Sequence, residues 1–366
     1  MARGPIGHLA HRALSLLRWR ILPALGHEVM RHRSPQQLVS QWPEGIIPLG
    51  PKVCVFVHWD GAGDVRDHVM HHVRGLAAAG LSVVFVTNSG FLRPAALEAL
   101  KLVCAGVIIR RNVGYDFGAW REGFERLNLP RPDTTLVAMA NDSVYGPIRS
   151  LNELFGTIDF DIADVWGCTD SWQSRYHLQS YLIAFSPKVV ASDAWKTFWK
   201  GVVPTWSKMW LVRMYEIGLT QALLKAGFSC RAIWPYQKLI LDIDLDLIDD
   251  KKLEAAWKDD DDEEKDSSVM NRLRVNLSDP VIQNRRRHVL RLREAVAGRT
   301  PLNPTSDLWR QLLQARYPFI KRELLRDNPS QVPDVVEWRG VVAELSDRSL
   351  APIERDLQRT LKNRTP

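Results

Sequence analysis

The sequence has no run of about 18 consecutive apolar residues, the length that a membrane-spanning helix requires, so no such helix is predicted. Cysteine is also scarce. The four residues are Cys54, Cys104, Cys168 and Cys230, and they form no Cys-x-x-Cys pair and no cluster with histidine at zinc spacing. The first three lie in apolar surroundings, which is typical of buried thiols in a reducing compartment. These features argue against a disulfide framework and a zinc finger, and they favour a cytoplasmic protein.

Common catalytic signatures are missing as well. No Walker, G-x-G-x-x-G or G-x-S-x-G string occurs in the strand–turn–helix context that would give it a function. His68, His71 and His72 share a helical face by their spacing, but no acid or cysteine is predicted beside them. A packed or solvated face is therefore favoured over a zinc site.

Positive charge is present but unevenly distributed. The net charge is +7, and the first 33 residues carry six arginines against the single acid Glu28. Residues 271–293 are also rich in arginine. Because no recognition motif accompanies these patches, nucleic acid is not an expected partner. Peripheral contact with an anionic membrane surface and a solvated basic face both remain open, and residues 13–26 could form an amphipathic helix on a membrane or one packed on the domain.

Apolar runs of strand length alternate with helical patterns from Val53 to Ala140. The run Val53–Val57 is rich in β-branched residues, as expected for a strand buried on both faces. Three further strands and three helices follow, with Asp64 as a predicted N-cap and Pro94 in the first turn of the second helix. This order predicts an α/β fold in which a mostly parallel sheet carries helices on both faces.

Composition divides the chain into four segments. Residues 259–264 are six consecutive acids, whose mutual repulsion predicts a linker or loop rather than a metal cage. The segments are a basic amphipathic N-terminal segment, an α/β domain, an acidic linker and a helical C-terminal extension, at residues 1–50, 51–250, 251–270 and 271–366 respectively.

Polar residues follow the predicted strands, and parallel sheets bind ligands at the carboxyl ends of their strands. Trp59 and Asp60 come after the first strand and are candidate ligand-binding residues. Such polarity is unusual in the short loops of a compact domain. It is the first indication of a functional site.

The loop after the third strand contains Arg110, Arg111, Asn112, Gly114 and Asp116. The two arginines could face a diphosphate with forked donors, and Gly114 lets the backbone turn or approach a ligand closely. Asp116 could cap the next helix or accept a hydroxyl from a ribose or sugar. For any one of these residues a capped turn with an ion pair is the alternative, but the combination favours function.

Asp142 follows the fourth strand directly, between Asn141 and Ser143. An acid at this point is well placed to hold a divalent cation beside a nucleotide diphosphate. Magnesium takes one or two carboxylates together with waters and phosphate oxygens. The cation would offset the charge that builds on a leaving group.

Two strings of residues together resemble the rhamnan synthesis protein F family. They are Arg-Asn-Val-Gly-Tyr-Asp-Phe-Gly-Ala-Trp at 111–120 and Asn-Asp-Ser-Val-Tyr-Gly-Pro at 141–147. Further similar stretches lie at 177–181, at Tyr215-Glu216 and at 303–325, the last ending in Pro-Phe-Ile-Lys-Arg-Glu-Leu-Leu. The resemblance is carried by the combination rather than by any one piece.

The resemblance, which covers Val53 to Tyr236 and the later stretch, implies a GT-A-like glycosyltransferase with a Rossmann-like fold. The family is associated with bacterial rhamnose-containing polysaccharides and O-antigens. A nucleotide-sugar donor, dTDP-rhamnose, and a lipid-linked glycan acceptor are therefore implied, and with them a rhamnosyltransferase at the inner face of the cytoplasmic membrane. A non-catalytic carbohydrate-binding or scaffold protein is the alternative. The residues expected to bind the donor are Trp59, Asp60, Arg111, Asn112, Gly114 and Asp116.

One departure from the GT-A pattern concerns the metal. Such enzymes usually carry Asp-x-Asp after this strand, whereas here Asp142 stands between Asn141 and Ser143. Asp142 is thus expected as a single ligand for Mg²⁺ or Mn²⁺, and metal dependence is in question. The literal Asp-x-Asp strings at 159–161 and 242–246 lie outside the predicted site and are interpreted as chance.

Transfer with inversion needs a base for the acceptor hydroxyl. Glu216 is the candidate, since it stands at the start of a helix predicted from Ile217, and a helix N-terminus would keep it ionised. Asp170 is the rival base. His177 and Trp172 are expected to bind the acceptor, by hydrogen bonding and by stacking on a sugar.

Overall fold

A computed structural model of the chain describes residues 37–203, 208–243 and 280–362. The basic first 36 residues and the predicted acidic linker at 251–270 lie outside this part. Within it, no helix combines the length and the apolar character needed to cross a membrane.

The centre of the fold is a mostly parallel sheet. In chain order the strands are β1 (Leu38–Trp42), β2 (Lys52–His58), β3 (Ser82–Thr87), β4 (Gly106–Arg110), β5 (Leu136–Asn141), β6 (Val144–Tyr145), β7 (Val165–Ser171), β8 (His177–Leu178), β9 (Leu182–Phe185), β10 (Cys230–Trp234) and β11 (Ile320–Lys321). Among the described residues the order across the sheet is β1-β4-β3-β2-β5-β9-β7-β10, with β8 paired to β7. Only β1 and β9 run against the other strands of that path. The predicted α/β fold class is confirmed.

Helices connect these strands. In chain order they are α1 (Asp67–Ala78), α2 (Pro94–Lys101), α3 (Tyr115–Leu127), α4 (Asn152–Thr157), α5 (Pro187–Ala191), α6 (Asp193–Gly201), α7 (Lys208–Leu211), α8 (Ile217–Lys225), α9 (Tyr236–Leu241), α10 (Pro280–Val296), α11 (Pro304–Asp307), α12 (Trp309–Gln314), α13 (Arg322–Arg326), α14 (Trp338–Leu345) and α15 (Ala351–Lys362). A π-helical segment, Val212–Glu216, joins α7 to α8, and a 3-10 segment, Pro333–Glu337, precedes α14.

The sheet is buried on both faces, as the apolar strand sequences predict. Along β2, Cys54 and Phe56 belong to a core shared with α1 and α2, whereas Val53, Val55 and Val57 belong to a core shared with α3, α6 and α8. The cause is the two-residue period of a strand, which sends successive side chains to opposite faces. Helices therefore cover both faces, and the edge where the strands end is left open to ligands.

One local prediction was wrong, and one strand was not predicted. Asp64 does not cap α1: the N-cap is Arg66, without a side-chain cap, and Asp64 accepts a hydrogen bond from Val65 N–H instead. Strand β1 was not predicted, although it pairs antiparallel with β4 inside the stretch assigned to the N-terminal segment. Its sequence Leu-Val-Ser-Gln-Trp is half exposed, as befits an edge strand, and gives a weak pattern.

The C-terminal part is mainly helical, as predicted, and it packs on the α/β domain. Strand β11 pairs antiparallel with β6, through Ile320 opposite Tyr145. A third apolar core joins Tyr145 and Ile148 to residues of α12, α13, α14 and α15. The extension therefore lies directly beside Asp142, the predicted metal ligand.

The histidines of α1 face the interior. His68 and His72 are buried, and burial lowers the pKa of each to about 3, so both are neutral. The ring of His72 lies 5.1 Å from that of Phe56 and 5.0 Å from that of Phe319. These contacts agree with the interpretation of a packed face.

Substitution of Gly123 tests the close approach of α3 to the sheet. A Cβ at this position would lie 2.7 Å from Val55 Cγ1, so Gly123→Ala should lower the free energy of unfolding by about 1–3 kcal/mol. Gly156→Ala in α4 is the matched control: its Cβ would meet nothing within 4 Å, and stability should stay equal or rise by up to about 1 kcal/mol. Urea unfolding of both variants measures the difference, and equal stabilities would contradict the packing.

Candidate active site

The carboxyl ends of the parallel strands meet at one edge of the sheet. His58 pairs in register with Thr87, and Val57 with Asn141, so the loops that follow β2, β3 and β5 start at the same level. His58 Nδ1 lies 3.2 Å from Thr87 Oγ1, which ties the first two strand ends together. As predicted from the polar loops, the functional candidates gather at this edge.

Three predicted site residues line one cleft. Asp116 comes from the first turn of α3, Asp142 follows β5, and Glu216 ends the π-helical segment. They surround a cavity of 770 Å³, which we call the carboxylate cleft. His177, at the start of β8, lines the same cleft. Four residues chosen from separate parts of the sequence are thus brought together.

Glu216 is held by Ser180 rather than by a helix N-terminus. The helix predicted from Ile217 is present as α8, with Glu216 directly before it, but the π-helical segment runs into α8 without interruption, so Glu216 does not lie at a free helix N-terminus. Its Oε1 instead accepts hydrogen bonds from Ser180 N–H at 3.0 Å and Ser180 Oγ at 3.1 Å. These two hydrogen bonds fix the orientation of the Glu216 carboxylate in the cleft. A π-helical turn at this position is typical of a functional site.

Asp116 lies deeper in the cleft. Burial, together with the neighbouring charge of Asp142, raises its pKa to about 7, although Asn141 Nδ2 donates a hydrogen bond to its Oδ2 at 2.9 Å. Gly114, at φ 85°, and not Asp116, occupies the N-cap of α3. Asp116 is therefore available to a ligand, and it changes its charge near neutral pH.

Asp142 is paired with an arginine from the C-terminal part. Arg322 Nη1 donates to the carbonyl oxygen of Asp142 at 2.8 Å and lies 3.3 Å from its Oδ2. Next to it, Lys321 Nζ donates to Ser143 Oγ at 3.1 Å. The strand pairing of β11 with β6 holds both cations in place.

A second cavity of 890 Å³ adjoins the cleft, and the two share Asp142, Arg322 and Arg326. We call it the arginine cavity, because four arginines line it: Arg66, Arg322, Arg326 and Arg359. Trp59 and Asp60 lie here, so these two predicted donor-binding residues are adjacent to the carboxylate cleft. Asp60 also has a local structural role, since its Oδ1 accepts from Ala62 N–H at 2.8 Å.

Asp356 of α15 links the arginines to one another. This carboxylate is only 2% exposed, and it accepts hydrogen bonds from Arg66 Nη1 at 2.5 Å, Tyr145 Oη at 2.6 Å and Arg322 Nη2 at 3.4 Å. Burial opposes its ionisation, yet His68, Tyr145 and the two arginines together hold its pKa at about 2. The C-terminal helix is therefore part of the wall of the arginine cavity.

The other predicted residues of the β4–α3 loop lie outside the lining of both cavities. Arg110 is buried and binds Glu122 at 2.8 Å and the Val113 carbonyl oxygen at 2.9 Å, so it holds the loop and does not face a ligand. Arg111 and Asn112 are exposed. For this part of the loop the structure agrees with the alternative of a turn stabilised by an ion pair.

Asp170 and Trp172 are also apart from the cleft lining. Asp170 is buried, and its Oδ1 accepts the backbone N–H of Tyr236 at 2.6 Å. Burial raises its pKa. Trp172 is 40% exposed and packs edge-on against Tyr176, with ring centroids 5.1 Å apart.

The side chains at Asp142 do not suit a divalent cation. In the described ranges, no three His, Cys, Asp or Glu side chains are grouped so that they could hold a metal ion. A divalent cation on Asp142 Oδ2 would also lie beside the Arg322 guanidinium, 3.3 Å from that oxygen, and be repelled by it. Mg²⁺ or Mn²⁺ at Asp142 stays a prediction that would require Arg322 to move.

Sequence reasoning missed Lys321, Arg322, Arg326 and Asp356 as site residues. The string around Lys321 and Arg322 contributes to the family resemblance, but the resemblance implies no role for either residue. Their position depends on the pairing of two-residue strands, β6 and β11, which are too short to show a sequence period.

Titration of Asp116 should make the stability of the protein depend on pH. Because its pKa of about 7 in the fold exceeds that of an unfolded aspartate, ionisation destabilises the fold as pH rises from about 4 through 7. Asp116→Asn removes this cost. The melting temperature of Asp116→Asn minus that of wild type should therefore be about 2–4 °C higher at pH 8 than at pH 5.

The control for this experiment is Asp133→Asn, which replaces an aspartate with a 55% exposed side chain outside both cavities and reports any general effect of losing one acid. Calorimetry at the two pH values measures both variants. A pH-independent difference for Asp116→Asn would mean that its carboxyl group is not perturbed.

Comparison with known proteins bears on the family. The virulence protein VirA of Vibrio anguillarum is 29% identical over 258 residues, 69% of this chain and 72% of VirA. The uncharacterized protein y4gN of Sinorhizobium fredii is 27% identical over 201 residues, 54% of this chain and 52% of that protein. Among solved structures, the mannosyltransferase PcManGT of Pyrobaculum calidifontis in complex with GDP-Man and Mn²⁺ is 12% identical, covering 96% of this chain and 90% of its own; its TM-score of 0.29 is too low to indicate a shared fold.

Residues 83–244 match the family model of rhamnan synthesis protein F. The match includes the loop after β4, the segment after β5 and Glu216. It confirms the resemblance drawn from the motifs: this part of the chain is similar to the rhamnan synthesis protein F family.

Proposed function

We propose that this protein is a glycosyltransferase that moves a sugar from a nucleotide donor to an acceptor hydroxyl with inversion. The observation that carries the proposal is the carboxylate cleft, where Asp116, Asp142 and Glu216 meet at the carboxyl edge of a parallel sheet beside Lys321 and Arg322. Carboxylates suit sugar hydroxyls, which are hydrogen-bond donors, and cations suit a diphosphate leaving group. The cleft therefore contains carboxylates that can bind the sugar and cations that can bind the diphosphate of a nucleotide sugar.

In the proposed reaction Glu216 is the general base. The acceptor oxygen forms a bond to the anomeric carbon while the bond from that carbon to the diphosphate breaks, and the acceptor proton passes to Glu216. The hydrogen bonds from Ser180 to Glu216 Oε1 orient the carboxylate for this transfer. We prefer Glu216 to Asp170, because the Asp170 carboxylate accepts the Tyr236 N–H and lies outside the cleft lining.

The remaining polar groups are divided between donor and acceptor. Trp59 and Asp60, in the arginine cavity, would bind the nucleotide, and Asp116 would accept a hydroxyl of the transferred sugar. His177, which lines the same cleft, would contact the acceptor. Trp172, which is close to His177 in sequence and partly exposed, would extend the acceptor-binding surface. Arg111, Asn112 and Gly114 would act indirectly, through the conformation of the loop that presents Asp116.

Because the matched family is named for rhamnan synthesis, we propose dTDP-rhamnose as the donor and a lipid-linked glycan as the acceptor. A lipid-linked acceptor would bring the protein to the inner face of the cytoplasmic membrane as a peripheral protein. A non-catalytic carbohydrate-binding or scaffold protein would use the same cleft without turnover. Release of dTDP from dTDP-rhamnose separates the two functions.

Glu216→Gln tests the role of the base. The amide keeps an oxygen that can accept from Ser180 but cannot take a proton, so transfer should fall by about 100-fold or more while donor affinity stays near that of wild type. Coupled detection of released dTDP measures turnover, and calorimetry with dTDP-rhamnose measures binding.

The matched control is Glu125→Gln, a residue of α3 that is exposed, outside both cavities, and expected to leave turnover unchanged. Full turnover in Glu216→Gln would remove the residue from the mechanism. Wild-type protein that binds sugar nucleotides but turns none over, with any acceptor fraction offered, would favour the non-catalytic alternative.

A further inference from the structure

The charge of the site is divided between its two cavities. In the arginine cavity, the four arginines at 66, 322, 326 and 359 outnumber Asp60 and Asp142. In the carboxylate cleft, the five acids at 116, 142, 216, 323 and 327 nearly balance the four cations at 208, 321, 322 and 326, so the positive charge is concentrated in the arginine cavity. A sugar diphosphate is complementary to this arrangement. Its anionic phosphates suit the arginine cavity, and its sugar hydroxyls can donate hydrogen bonds to the carboxylates of the cleft. The boundary between the cavities is therefore the place for the bond between sugar and phosphate.

Arg322 stands on that boundary in a fixed orientation. Its guanidinium donates to the Asp142 carbonyl oxygen and to Asp356 Oδ2, and it lies 5.6 Å from the ring centre of Tyr145. A planar guanidinium held in this way can donate two parallel hydrogen bonds to phosphate oxygens. Because its orientation is already fixed, binding costs little additional side-chain entropy. It lies beside the acid that was expected to carry a metal ion.

Arg326 and Arg359 extend the positive charge away from Asp142. Arg326 is one helical turn beyond Arg322 on α13 and lines both cavities. Arg359, on α15, is exposed, and among the described residues it forms no ion pair. Asp356, three residues earlier on the same helix, connects α15 to Arg66 and Arg322. The arrangement is built from the C-terminal part of the chain, outside residues 83–244.

From these observations we propose that Arg322, Arg326 and Arg359 bind the diphosphate of the donor directly and supply the positive charge that a divalent cation would otherwise provide. The proposal deepens the proposed function and rests on it. It assigns the diphosphate to these three residues instead of Arg111, which is exposed and outside the lining of both cavities. As the sugar leaves, the negative charge that develops on the phosphate oxygen is stabilised by guanidinium groups already in position.

Calorimetric titration of the full chain with dTDP, in buffer with EDTA and in buffer with Mn²⁺, tests the proposal. We expect dTDP to bind in EDTA, with an affinity within about threefold of that in Mn²⁺. Arg359→Ala should weaken binding by about 10-fold, and the double variant Arg326→Ala/Arg359→Ala by about 100-fold, since each substitution removes a charged hydrogen-bond donor from the diphosphate. Arg322→Lys, which keeps the charge but loses the fork, should weaken binding by about 10-fold.

The matched control is Arg355→Ala on the same helix α15. Arg355 is 57% exposed, pairs with Asp67 at 2.7 Å and does not line the arginine cavity, so its variant should bind dTDP as wild type does. Melting temperatures of all variants separate loss of binding from loss of fold.

The outcomes distinguish this proposal from the one on which it rests. Binding of dTDP only when Mn²⁺ is present, or equal affinity in the Arg326→Ala/Arg359→Ala variant and wild type, overturns the assignment of the diphosphate and leaves the transferase proposal standing. If dTDP, UDP and GDP all fail to bind in both buffers, the nucleotide-sugar donor is refuted, and this inference with it.

Discussion

The site depends on one buried carboxylate, Asp356, because it joins elements from both ends of the chain. It accepts hydrogen bonds from Arg66 at the start of α1, from Tyr145 on β6 and from Arg322 on α13. A buried carboxylate without partners would be costly, and so would the largely buried guanidinium of Arg322. The three elements therefore satisfy one another only in the docked arrangement, and that arrangement forms the arginine cavity.

A second consequence is electrostatic. The same contacts that bury Asp356 keep Arg322 beside Asp142, so the place where an acid follows a parallel strand carries a cation of the chain itself. Across the cleft, Asp116 and Glu216 supply negative charge. Because the arginines and acids are held by backbone and side-chain contacts before any ligand arrives, little reorganisation would be needed when charge moves from a sugar to a leaving phosphate.

Much of the fold could be predicted from local pattern. The four strands from β2 to β5 and their helices were found to within a few residues, because apolar β-branched runs and turn residues encode them locally. Asp116 and Asp142, which follow β4 and β5 in the chain, line one cleft, since parallel strands end at a common edge. The helix after Glu216 could also be predicted, but the π-helical segment that precedes it could not, and this segment removes the free helix N-terminus from which the ionisation of Glu216 was argued.

The sequence by itself determined the α/β class, the buried sheet and the polar edge, since these follow from side-chain periodicity over a few residues. The completion of the site required the folded chain. Arg66 and Asp356 are 290 positions apart, and Arg322 and Asp142 are 180 positions apart, so no local pattern links them. They meet because a two-residue strand pair and an apolar core dock the C-terminal helices on the domain, and such long-range packing depends on the shape of the whole surface.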